Sequence, residues 1–362
     1  MRVFLKIFII FLLSSCANIV APDGGDKDLD SPKLLNTEIT ENLKNKCGKT
    51  IIFEFDEYIR LNKWDEYFYI SPPIIKRPQK KIKGQSLIIT IDDSLNKNST
   101  YYLALNSCIK DNNEGNILDS LSYKFSTDEN FDTLTLSGNL YDAYTLKPLE
   151  STWIMLFDID LNDTLIFKNT PDYIAQTNKK GIFHFPNLKV VNYKVVALTG
   201  TDFIYNLNEK IAFLDDFVNA KTDSFISLFA FNPIVTIDNL TTDSTTFKSD
   251  TISTFIDSVS KKEELSFGRL KVITEEASPC MFQLFQNEKL VYNFYFSDNP
   301  YSMDAIIPGR YRLKYITDTN YDSVWNTGNW ENRLQPEKVL NYPSEILIRS
   351  NWDLELEWII GE

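Results

Sequence analysis

The sequence predicts an all-β chain: tandem β-sandwich domains behind a lipidated N-terminal tether. Three observations carry this. Short runs rich in β-branched and aromatic residues recur from residue 32 onward, each closed by Gly, Pro, Asn, Asp or Ser, the punctuation of sandwich strands. The aromatic share is 14%, with 25 Phe and 18 Tyr, side chains that suit a pleated, half-buried surface. At about 150 residues per domain, 362 residues imply two or three domains, and 43% hydrophobic against 24% charged residues is enough to build their cores.

Charge narrows the function. With 37 Lys and Arg against 50 Asp and Glu, the net charge is −13. The chain therefore lacks the basic footprint that neutralises phosphates, and nucleic acid is not an expected partner. A single histidine, His184, removes most of the acid/base and metal-ligand repertoire and leaves carboxylates as the remaining candidates.

At the N-terminus, Arg2 and Lys6 flank the start of an apolar run over residues 7–13, followed by Leu13-Ser14-Ser15-Cys16. Residues 1–15 read as a signal peptide, because a permanent span needs about 20 apolar residues. Small residues directly before a cysteine resemble the bacterial lipobox, which implies an acylated Cys16 as the first mature residue and membrane lipid as its partner. An ordinary secretory signal cleaved nearby is the alternative. Acyl chains contribute ~0.8 kcal/mol per buried CH2 and hold a protein on a bilayer without a spanning helix. Residues 16–31 are polar and Gly-rich and read as a flexible tether. Ala17, in place of the aspartate associated with inner-membrane retention, favours the outer membrane and leaves the face open.

The first sandwich is expected over residues 32–128. Residues 51–55 form a strand facing inward at Ile51, Phe53 and Phe55; residues 67–71 form one that Pro72 and Pro73 end or hold at an edge; further strands lie at 87–91, 100–105 and 121–125. The order Phe55-Asp56-Glu57-Tyr58-Ile59, Ile70-Ser71-Pro72-Pro73, Asn98-Ser99-Thr100-Tyr101, Asp111-Asn112-Asn113-Glu114-Gly115-Asn116 and Phe125-Ser126-Thr127 resembles the bacterial Ig-like domain named after the S-layer protein SbsA. It is also similar to lipoproteins of the Bacteroidota that carry this domain directly after the lipid tether. That resemblance implies an Ig-like sandwich on an envelope lipoprotein and brings no catalytic residues with it.

The second sandwich is expected over 132–237, with strands around 134–143, 153–157, 173–177, 181–188 and 193–198. This order resembles the carboxypeptidase regulatory-like, or prealbumin-like, domain, an accessory fold that implies no peptidase activity. Residues 238–262 are rich in Asp, Ser and Thr and read as a linker. A third sandwich is expected over 263–362, with strands at 265–273, 281–285, 290–296, 306–315 and 352–359; its ending resembles the C-terminal region of the same lipoproteins.

Candidate chemistry is sparse. Asp318, Asn320 and Asp322 place oxygen at alternate positions, the opening of a Ca2+ loop, but Ser323 and Asn329 stand where such a loop needs Gly and a bidentate Glu, so a polar turn is favoured. Asp56 and Glu57, as neighbours in an extended chain, diverge rather than converge on a substrate. His184 should face away from Phe183 and Phe185. Cys47, Cys108 and Cys280 are left after lipidation, an odd number, and a Cys47–Cys108 bridge is disfavoured by their placement at opposite ends of strands. Ser244, Thr251 and Ser258, each after Asp, match the triplets on which Bacteroidota carry O-glycans, as does Thr164 in Asp163-Thr164-Leu165; chance occurrence is the alternative.

The expectation is a non-catalytic binding or scaffolding component of the outer membrane without a cofactor, whose partner is an envelope protein or a glycan. The rivals are a periplasm-facing subunit of an assembly or secretion complex and a glycan-processing enzyme using two carboxylates.

Overall fold

The structure, a computed structural model, describes residues 27–41, 49–200, 203–233, 266–275 and 278–360. The first domain holds β1 (Leu34–Glu41), β2 (Lys49–Phe55), β3 (Ile59–Leu61), β4 (Tyr69–Ser71), β5 (Gln79–Lys83), β6 (Ser86–Ile91), β7 (Thr100–Ala104), β8 (Ile109–Asp111), β9 (Ile117–Leu118) and β10 (Ser122–Ser126), with one helical turn, α1 (Trp64–Tyr67). The sheets β1-β2-β6-β5 and β10-β7-β4 share a single core, to which the small β3-β8-β9 sheet adds Ile59 and Ile109. Alternation decides which side chains enter it: Ile51, Phe53 and Phe55 from β2 and Leu87, Ile89 and Ile91 from β6 are all buried. Asp111 closes the β8–β9 turn. It is buried, and its carboxylate accepts the backbone N–H groups of Glu114, Gly115 and Asn116 at 2.6–2.8 Å. Burial alone would raise its pKa, but these bonds outweigh that and lower it. Asn116 Nδ2 donates to the carbonyls of Asp28 (3.0 Å) and Asp30 (2.8 Å), so the chain docks on this domain within the stretch expected as tether.

The second domain holds β11 (Leu134–Asp142), β12 (Trp153–Asp158), β13 (Tyr173–Gln176), β14 (Ile182–Leu188), β15 (Asn192–Leu198), β16 (Ile211–Phe213), β17 (Val218–Asn219) and β18 (Phe225–Ala230); the third holds β19 (Gly268–Ile273), β20 (Cys280–Gln286), β21 (Lys289–Phe296), β22 (Tyr301–Ile306), β23 (Gly309–Thr317), β24 (Val339–Asn341), β25 (Ile346–Ile348) and β26 (Asp353–Glu357). The two have the same wiring. In each, the first strand pairs antiparallel with the fourth and parallel with the last (β14-β11-β18, β22-β19-β26). The second strand lies between the third and fifth, and the fifth carries two short strands (β13-β12-β15-β16 with β17, β21-β20-β23-β24 with β25).

Local detail repeats as well. The register slips by one residue between Leu134 and Leu136 and again between Gly268 and Leu270; the extra residue opposite takes a positive φ at Asn187 (62°) and at Ala305 (57°). Tyr193 donates from Oη to the carbonyl of Lys189 (3.3 Å), and Tyr311 to that of Ile307 (2.8 Å), four residues back in both cases. The second and third domains thus share a strand plan, a bulge and a buried tyrosine tie.

If the ties are equivalent, Tyr193→Phe and Tyr311→Phe should each cost about 0.5–1.5 kcal/mol, the net value of one hydrogen bond. Denaturant titration of each variant reads this, and a loss confined to one of them would break the equivalence.

The five-stranded sheet of the second domain is covered on both faces, which explains the unbroken apolar run of β12. Ile154 and Leu156 enter the sandwich core, while Trp153, Met155 and Phe157 join a second cluster outside it. That outer cluster is roofed by the 3-10 turn Asp163–Lys168, by Phe203 and Tyr205, and by Trp330, which arrives from the third domain.

Candidate functional site

At the edge of the third sandwich β26 pairs β19 alone among the described residues, and the chain entering it carries the exposed Trp352. The backbone there is set by Asn351, in the left-handed region (φ 53°), whose N–H donates to Phe267 O (2.9 Å), while Arg269 N–H donates to Trp352 O (3.1 Å). The Trp352 ring is thereby turned outward and remains 61% exposed. A groove of about 310 Å³ lies on one side of it, lined by Tyr342, Ile346, Leu347, Arg349, Leu354 and Leu356 among others. A second, of about 270 Å³, lies on the other, between Arg269, Asp304 and Asp353. Arg269 bridges Asp304 through Nε and Asp353 through Nη1 (3.3 Å), and Lys271 meets Glu355 at 3.1 Å. An indole plate flanked by shallow grooves and a ladder of charges suits adhesion to an extended or flat ligand.

Both domain junctions are packed. Between the first and second, Ile174 N–H donates to Ser71 Oγ (3.0 Å), the Tyr69 and Trp153 rings meet edge to face at 5.5 Å, and Lys189 Nζ donates to Ser99 Oγ at 3.2 Å. Between the second and third, Tyr144 Oη donates to Gln283 Oε1 (3.0 Å), and Lys314 Nζ donates to Tyr144 O while sitting 4.1 Å from the centroid of its ring. Burial pushes the Lys314 ammonium down to about 8, a shift that Asp142 partly opposes. An arm over residues 318–338, joining β23 to β24, runs back onto the second domain. There Trp330 lies 5.2 Å from both the Phe167 and Phe213 rings, and Arg333 stacks on Phe213 at 4.2 Å while donating to Leu214 O at 3.1 Å. Gly328 permits this approach, since a Cβ there would lie 2.5 Å from the Phe231 ring.

Asp318, Asn320 and Asp322 come together at the root of that arm, as the sequence suggests, but their oxygens are engaged by the turn itself. Asp318 accepts the N–H groups of Asp322 (3.1 Å) and Ser323 (3.0 Å), and Asn320 and Asn326 donate to Asp322. Glu337, buried, holds Thr319 and Asn326 from the far end of the arm. The geometry is that of a turn tied by its own backbone. No group of three or more His, Cys, Asp or Glu placed to hold a metal ion is present among the described residues.

Other candidates are dispersed. Asp56 and Glu57 lie in the bend after β2, where Asp56 accepts Lys33 N–H at 2.8 Å. His184 is exposed between the buried Phe183 and Phe185 and shares a 2.8 Å hydrogen bond through Nδ1 with Ser137 Oγ; partial burial lowers its pKa. Cys108 and Cys280 are buried thiols without a bridge, both pushed up to about 12 by burial. Thr164 sits in the 3-10 turn Asp163–Lys168, its N–H and hydroxyl both donating to Asn162 Oδ1. Cys16, Cys47, Ser244, Thr251 and Ser258 lie outside the described residues. Sequence reasoning passed over Trp330, Arg333 and Lys314. Trp325 and Trp330 at the two ends of the polar run Asn326-Thr327-Gly328-Asn329 were the available signal, since aromatic rings in a loop need a surface to cover.

Residues 28–127 match the family described as a bacterial Ig-like domain, so the first domain is Ig-like. Among curated proteins no sequence matches. Solved structures with some likeness include the group B streptococcus pilus 2b backbone protein (13% identity, TM-score 0.18, 53% of this chain and 96% of that one). The Bacillus anthracis TIE protein aligns at 10% identity and TM-score 0.20 over 94% of this chain and 59% of its own. BcpA, the major pilin subunit of Bacillus cereus, aligns at 9% identity and TM-score 0.19 over 56% of this chain and 70% of its own.

Proposed function

We propose that this chain is a lipid-anchored outer-membrane protein of the Bacteroidota type, in which acylated Cys16 holds three sandwich domains on the bilayer as a non-catalytic scaffold or binding component. The observation that carries the reading is the combination of packed junctions with exposed recognition features at the far edge of the last domain. A chain whose sandwiches are tied through Ser71, Tyr144, Lys314 and Trp330 transmits position, and Trp352 with its two grooves offers the contact surface. Under this reading the second domain is a carboxypeptidase regulatory-like module, and the shared wiring makes the third one as well. The Asp/Ser/Thr-rich composition of the stretch between them makes Ser244, Thr251 and Ser258 its proposed glycan acceptors.

Two measurements test this. Cys16→Ala should abolish incorporation of a labelled fatty acid and release the protein from the membrane fraction, whereas retained labelling overturns the anchor. Trp352→Ala should remove most of the envelope protein or glycan that the full chain recovers from detergent-solubilised membranes, because exposed aromatic anchors dominate such contacts. Unchanged recovery places the binding surface elsewhere.

A further inference from the structure

Two edge strands at opposite ends of the chain are complementary. In β5, three of the five residues are lysine, and in β26 three of the five are acidic. Among the described residues each strand is the last in its sheet: β5 pairs β6 alone, and β26 pairs β19 alone. Register fixes which side chains face out. Lys81 and Lys83 lie opposite Ile88 and Ser86 on the outer face of the first sheet, while Ile82 pairs with the buried Leu87 and faces in. In the third domain Asp353, Glu355 and Glu357 face out, and Leu354 and Leu356 face in, toward the groove of about 310 Å³.

We infer that these two edges join copies of this chain head to tail, β5 of one copy adding as a strand beside β26 of the next. In an antiparallel pairing Lys83 stands opposite Glu355, Ile82 opposite Leu356, and Lys81 opposite Glu357. Charges then meet on the outer face, and Ile82 enters the groove between Leu356 and Ile346. Lys81, Lys83 and Glu357 have no ion-pair partner among the described residues, so pairing disrupts no existing bridge at these three positions. The same charges oppose the wrong assemblies. Two β5 edges would set lysine against lysine and two β26 edges carboxylate against carboxylate, so each strand is protected from its own kind and open to the other. Because the two patches differ, the contact is heterologous, each copy offering one edge to each neighbour, and it extends to chains or rings rather than stopping at a self-complementary pair.

This deepens the scaffold reading and rests on it, by naming a second copy as the partner of the β26 edge. Sedimentation velocity of the full chain over a concentration series should show a ladder of species at low salt that shrinks at high salt, as expected of exposed charge pairs. Lys81→Glu with Lys83→Glu should weaken association at least about tenfold, as should Glu355→Lys with Glu357→Lys, and the chain carrying all four substitutions should recover it. Recovery in the fourfold variant also excludes misfolding as the cause of loss. A chain that is monomeric throughout, or association that ignores either reversal, or no recovery in the fourfold variant, overturns the inference. Since labelling at Cys16 and recovery of envelope partners are read separately, that outcome leaves the anchored scaffold standing.

Discussion

Trp330→Ala should cost about 3–5 kcal/mol, the range for truncating a buried aromatic, and most of it should appear as loosening of the third domain from the second. The indole is only 8% exposed although it belongs to an arm rather than a strand. It touches Phe167 and Phe213 and forms one side of the sandwich around the Arg333 guanidinium, which stands 4.5 Å from its ring centroid. Removing it opens a cavity and exposes the outer face of the β12–β16 sheet, where Phe157, Met155 and Ile211 are otherwise dry. Arg333 loses a stacking partner while remaining committed to Leu214 O. Limited proteolysis should accelerate within residues 318–338 of the variant, and its thermal transition should split where the wild type shows tighter coupling. A single transition within 1 °C of wild type would mean that the arm lies on the second domain without holding it.

Much of the fold is legible because half-buried strands write their geometry into alternation. Ile51, Phe53 and Phe55, or Phe183 and Phe185 flanking His184, announce which face is wet, and the structure places them accordingly. The shorter strands do not. β16, β17, β24 and β25 have two or three residues, too few for a period to form, and they exist because β15 and β23 leave one side of their backbone to be paired. β5 was equally silent, since a strand reading Gln-Lys-Lys-Ile-Lys has one apolar residue and is held by pairing with β6 rather than by burial.

The kinship of the second and third domains is carried by topology and by two details that sequence alone shows only faintly. One is the bulge opposite Leu134 and Gly268. The other is the run Tyr193-Lys194-Val195 beside Tyr311-Arg312-Leu313, which becomes a signal only when the shared carbonyl tie is visible. The candidate surface around Trp352 was missed for a related reason. An exposed tryptophan at the start of an expected strand looks like a core residue until its turn, fixed by Asn351, is seen to point it outward.

The third domain's core gives the second large effect: Phe282→Ala should cost about 3–5 kcal/mol and fall toward the upper end of that range. Phe282 is fully buried in β20 and is ringed by Phe296 (6.0 Å), Tyr301 (5.1 Å), Tyr315 (5.4 Å) and Trp358 (6.5 Å). These neighbours cannot close the gap cheaply. Tyr301 and Tyr315 are anchored through their hydroxyls at Ser278, and a ring held at both ends does not follow a receding partner. The equivalent place in the second domain is filled by Ile154, across from Ala197 where the third domain has Tyr315. The two sandwiches therefore build one strand plan around different volumes, and the aliphatic solution is tied to the small residue opposite. Phe282→Ile should accordingly recover only part of the loss, since Tyr315 remains in place and the β-branched side chain leaves space that a ring filled. Denaturant titration of the full chain, followed by tryptophan fluorescence, reports the change because Trp358 sits in the same cluster. A cost below about 1 kcal/mol for Phe282→Ala would mean that the ring cluster relaxes into the cavity and that the hydroxyl anchors do not hold.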